Sequence, residues 1–158
     1  CRHSPTAARR MSASALRLVV LALIAPAFVA CHREAPISAT TFELHDAWVR
    51  ATPDSGSTTA AYIRFVNGTR DTVWVSRFSS DDAAEVELHQ SSDISGEMHM
   101  AMFDSLAVAP DHSVTMRPGG YHLMLIGTTH ALVPGTMVRI VMHLSNGAVV
   151  STSARVRS

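Results

Sequence analysis

The sequence predicts an all-β domain, a sandwich or a barrel, and three observations carry that prediction. From Thr41 onward, apolar and polar residues alternate in short runs rich in β-branched side chains, the period of half-buried strands. Turn-forming residues punctuate these runs at close spacing. No window of a dozen residues keeps a helical period.

The elements follow in order. Residues 59–66 and 72–78 flank Asn67-Gly68, a turn signal between two β-rich runs. Residues 136–144 and 148–156 flank Ser145-Asn146-Gly147, a stronger hairpin signal. Between them lie shorter runs at residues 85–89, 97–103, 113–117 and 121–126, separated by Pro110-Asp111 and Pro118-Gly119-Gly120. Internal repeats and a second domain are not expected, so residues 41–158 read as one domain large enough for its own core.

The preceding forty residues read as processing signals. Met11 is the first plausible start, which makes residues 1–10 a non-native or upstream extension. Residues 11–30 read as a secretory signal: Arg17 supplies the positive end and an apolar run occupies residues 18–30. That run is short for a membrane span. It ends Phe28-Val29-Ala30-Cys31, similar to a bacterial lipobox with phenylalanine in the usual leucine position. The expectation is a periplasmic or cell-envelope protein, lipid-anchored at Cys31 and otherwise not in the membrane, with residues 31–40 as a polar tether.

Charge and cysteine content exclude several classes. After Cys31 there are nine arginines, thirteen carboxylates and no lysine, a net charge of −4 with histidines neutral. Nucleic acid is therefore not an expected partner, since it needs a basic footprint. With Cys31 lipidated, the domain holds no cysteine, which removes disulfide scaffolds, thiol redox motifs, cysteine nucleophiles and thiolate-ligated blue-copper centres. There is also no His-Glu-x-x-His, no Gly-x-Ser-x-Gly and no phosphate-cradling glycine loop, so an enzyme is not expected.

One spacing stands out: His89, ten residues, Met100, twenty-one residues, His122, one residue, Met124. Imidazole nitrogen and thioether sulfur together suit Cu(I) above the harder divalent ions, and neither requires an oxidisable thiol. Strand periodicity supports a shared site. In residues 121–125, Tyr121, Leu123 and Leu125 form an apolar set that suits a core, leaving His122 and Met124 on the other face, one repeat apart. Val86 and Leu88 likewise turn His89 outward with Glu85 and Glu87. Met98, Met100 and Met102 share a face; Met100 has the right spacing, while Met98 and Met102 read first as packing residues and second as neighbouring or substitute thioethers. Met142 is read as core filler beside Val138, Ile140 and Leu144, and His45, His112, His130 and His143 as solvated.

Around Pro118-Gly119-Gly120-Tyr121-His122-Leu123-Met124-Leu125 the chain resembles the periplasmic copper chaperone family PCuAC, whose His-x10-Met-x21-His-x-Met motif it matches at His89, Met100, His122 and Met124. The resemblance extends through Ala47-Trp48-Val49-Arg50-Ala51, Ala61-Tyr62, Asn67, Leu132 and Pro134-Gly135. It implies a cupredoxin-like Greek-key β-sandwich binding one Cu(I) at an exposed two-histidine, two-methionine site. It further implies a metallochaperone that delivers copper to an accepting protein, such as a cytochrome c oxidase subunit during oxidase assembly or a Sco-type protein. The competing readings are a copper-buffering lipoprotein and a non-metal β-sandwich interaction module of the envelope.

Overall fold

The computed structural model describes residues 41–158, ten strands without a helix. The signal segment, Cys31 and the tether lie outside the described residues. The strands are β1 (Phe42–Arg50), β2 (Thr59–Asn67), β3 (Val73–Ser79), β4 (Ala83–Ile94), β5 (Glu97–Phe103), β6 (Ser105–Val108), β7 (His112–Thr115), β8 (Tyr121–Thr128), β9 (Met137–Leu144) and β10 (Val149–Arg157).

The all-β sandwich is made from one continuous open sheet, in the order β5-β4-β8-β2-β1-β10-β9-β3-β6, with β7 also paired to β2. Chain neighbours are often separated in this order, the crossover connectivity that Greek-key folds require. β1 runs parallel to β10 and antiparallel to β2. The sheet folds back on itself, so that β3 packs against β4, and β6 against β2 and β7. One core results. It draws Phe65, Ile63, Leu88, Leu123, Leu125, Ile140 and Met142, all fully buried, from both halves. Each such side chain contributes roughly 1.5–3 kcal/mol through removal of apolar area from water.

The expected turns differ in outcome. Residues 145–147 close the antiparallel β9–β10 hairpin, with Gly147 at φ 87°. Asn67-Gly68 instead joins two strands that do not pair with each other. There the Asn67 amide is buried: its Nδ2 donates to the carbonyls of Asp71 and Val108 (both 2.8 Å), and its Oδ1 accepts from the Thr69 amide (2.9 Å). This amide ties the crossover to the next layer and leaves no polar group unpaired.

The hairpin that shapes the site is β4–β5. Its turn places Ser95 at φ 58° and Gly96 at φ 88°, the two positive φ values of a tight two-residue turn matched to strand twist. The Asp93 carboxylate accepts from the Gly96 amide at 2.7 Å. β4 extends well past the run at residues 85–89, because β5 and β8 both pair with it through Gln90, whose polar neighbours Ser91 and Ser92 hide the alternation. β6 follows β5 after the single residue Asp104, too short a break to separate the two runs in the sequence.

Candidate metal centre

The strand pairing brings the spaced residues together. β8 lies between β4 and β2, and β4 lies between β8 and β5. His89 on β4 is directly opposite His122 on β8, and Glu87 is opposite Met124. On the other side of β4, Met102 is opposite His89 and Met100 is opposite Ser91. Residues paired in register share a face, so His89, His122, Met100 and Met124 all lie on the face opposite Leu88, Leu123 and Leu125.

The two rings have centroids 6.0 Å apart, with 32° between their planes. A cavity of about 460 Å³ adjoins them, lined among others by Met100, His122, Met124, Ser91, Tyr62 and Arg50. Ser91 is the small residue opposite Met100, which leaves room for that thioether to lean towards His122. His89 is not part of the cavity wall; it stands beside His122, away from the β2 side.

Hydrogen bonds fix which nitrogen of each ring is free. His122 Nδ1 lies 2.9 Å from the Gly120 carbonyl, which only accepts, so Nδ1 carries the proton and Nε2 the lone pair. His89 Nε2 lies 2.8 Å from Glu87 Oε2 and donates to that carboxylate, leaving the lone pair on Nδ1. His89 Nδ1 is buried and has no hydrogen-bond partner. An unpaired buried acceptor is costly, and a bound cation would satisfy it. Thus each ring is held by one nitrogen and offers the other, the usual arrangement behind a histidine ligand. Among the described residues no three His, Cys, Asp or Glu side chains group to hold a metal ion; the soft donors sharing the face of the histidine pair include the Met100 and Met124 thioethers.

The site is less exposed than expected. His122 is 4% exposed and the His89 side chain 16%, whereas Met124 is half-buried and Met100 is 56% exposed. The cover comes from residues far off in sequence. Tyr62 on β2 lies with its ring centroid 6.4 Å from that of His122, and Trp48 on β1 stacks on Tyr62 at 4.4 Å. The Arg157 guanidinium sits 5.6 Å over the Trp48 ring. A bulge in β1 between His45 and Trp48, with Asp46 at φ 54°, sets the register that aims Trp48 and Arg50 at this face.

Met98 and Met102 are not packing residues: each is 61% exposed, because β5 is the end strand of the sheet and nothing covers it among the described residues. Met142 is core, as expected. Sequence reasoning assigned no role to Glu87, although Glu-x-His on a strand puts both side chains on one face and signals such a pair. It also missed Tyr62 and Ser91 as parts of the same wall.

Solved structures share this fold. The copper-bound PCuAC domain from PmoF2 is similar at 21% identity and a TM-score of 0.62, covering 74% of this chain and 92% of that one. Apo-DR1885 from Deinococcus radiodurans is similar at 24% identity and 0.58, covering 94% and 97%. CuI-DR1885 from the same organism is similar at 23% and 0.53, covering 81% and 83%. At these identities the likeness is one of fold, and the PCuAC resemblance seen in the sequence is matched at that level. No curated protein matches the chain. The family described as "Putative lipoprotein LpqE-like" matches residues 42–156, nearly the whole described domain. The chain belongs to the LpqE-like family.

Proposed function

We propose that this protein is an envelope Cu(I)-binding metallochaperone whose ligands are His89, Met100, His122 and Met124. The observation that carries the reading is the histidine pair: opposite each other in register, each ring anchored through one nitrogen, with a buried, unpartnered lone pair on His89 Nδ1. Two neutral imidazoles and two thioethers are a soft set that suits Cu(I). Copper-bound and CuI forms among the structures of the same fold support the choice of metal.

The site divides its work between holding and releasing. The histidines are sheltered and oriented by Glu87 and the Gly120 carbonyl, so they retain the ion. Met100, on the exposed end strand, is the ligand an acceptor side chain reaches first and displaces. Lipidation at Cys31 fits the lipoprotein family and would hold the domain at a membrane surface, near membrane-bound acceptors such as a cytochrome c oxidase subunit or a Sco-type protein.

The test of delivery is a growth phenotype with an oxidase assay. Loss of the protein lowers oxidase activity when copper is scarce, and the wild-type gene restores it while a His89→Ala/His122→Ala gene does not. Oxidase activity that is normal at scarce copper, with growth failing only in excess copper, would overturn delivery in favour of buffering.

A further inference from the structure

The end strand β5 carries a feature that the four-ligand site does not use. All seven of its residues are exposed, and Met98, Met100 and Met102 occupy alternate positions on the face that also carries His89 and His122. Successive thioethers stand one strand repeat apart, about 6.5–7 Å. Three long apolar side chains left more than half exposed gain much less burial energy than a core methionine gains, so packing does not account for them. Their sulfurs do: a thioether is a soft, neutral donor selective for Cu(I). Each side chain has three rotatable bonds, enough for neighbouring sulfurs to converge on one ion.

The surroundings point the same way. Met102 is opposite His89, so the row abuts the histidine pair. Met98 is opposite Asp93 at the hairpin tip, beside Glu97, where two carboxylates raise the local concentration of cations. Met100 alone of the three lines the cavity with His122 and Met124.

We propose that Met98 and Met102 flank Met100 as a second, weaker Cu(I) seat, in which adjacent thioethers of β5 hold the ion and Met100 is the donor shared with the histidine pair. This rests on the Cu(I) reading above. Copper keeps its oxidation state in moving between the seats: one Cu–S bond forms as one Cu–N or Cu–S bond breaks, and the thioethers stay neutral throughout.

The experiment is an anaerobic Cu(I) titration of the full chain with its methionine methyl groups labelled with carbon-13. In the wild type, the first equivalent shifts the Met100 and Met124 methyls. A second, weaker by about tenfold or more because thioethers replace an imidazole pair, shifts Met98 and Met102. The M98L/M102L variant leaves the core untouched, keeps the first equivalent and loses the second. Saturation of the wild type at one equivalent with the Met98 and Met102 methyls unmoved overturns the second seat and leaves the histidine site standing. A second equivalent that persists in M98L/M102L overturns it too. No Cu(I) bound at all overturns both proposals.

Discussion

His89 and His122 stand directly opposite each other on β4 and β8, with ring centroids 6.0 Å apart and one nitrogen of each ring already engaged. Neither ring can turn its free nitrogen elsewhere without giving up a hydrogen bond of 2.8 or 2.9 Å. With both rings already held, the proposed shared ion would meet little ordering cost on binding. His89→Ala and His122→Ala should each weaken Cu(I) binding by about 100-fold or more, at least the effect of removing a supporting group. Competition titration of each variant checks this; affinity within a factor of a few of the wild type would contradict it.

Glu87 acts through His89. Replacing it with alanine frees the ring and should cost about 10–100-fold in affinity. Glu87→Gln should cost less, since the amide oxygen still accepts from Nε2. Equal losses in the two variants would mean that the carboxylate's charge, not its hold on the ring, matters.

Adjacent residues on β8 should answer differently. Met124→Leu conserves volume, so apo stability should change by less than about 1.5 kcal/mol while Cu(I) affinity falls. Leu123→Ala empties a fully buried position and should cost about 2–5 kcal/mol. Thermal unfolding of the apo variants separates the two. A destabilised apo Met124→Leu would place Met124 in the core.

Protons compete with copper for histidine nitrogens, so Cu(I) affinity should be lower at about pH 5 than at about pH 7.5. Titrations at about pH 7.5 and 5 that gave equal affinity would argue against histidine ligands.

Away from the site, Glu43 accepts hydrogen bonds from His45 (2.9 Å) and the Thr41 hydroxyl (3.0 Å), which hold its carboxyl below the usual range. The stability it contributes is present above its unfolded pKa and is lost as pH falls through the lower folded value. Glu43→Gln should lack that component, so from about pH 5 to 2 the wild type should lose more thermal stability than the variant. Equal losses would contradict the assignment.

The fold class was legible because strand alternation is local: Leu123 and Leu125 against His122 and Met124 fix two faces within five residues. The candidate site was legible through its match to the PCuAC motif, since alternation gives the faces of His89, His122 and Met124 but does not join residues ten and twenty-one positions apart. Depth was not. His122 is buried because Tyr62, sixty positions earlier, and Trp48 stacked on it cover that face, and only the β2–β8 and β1–β2 pairings bring them there. Met98 and Met102 could not be separated from core methionines, because exposure at β5 follows from its place at the end of the sheet, which no local pattern records.

Cu(I) binding at the histidine pair is tested most directly by anaerobic titration of the full chain against a chromophoric competitor, with X-ray absorption on the form loaded with one equivalent. The expected result is one tight first equivalent with a mixed shell of imidazole nitrogen and thioether sulfur. Binding no stronger than that of scattered surface histidines, or a shell without sulfur, would contradict it.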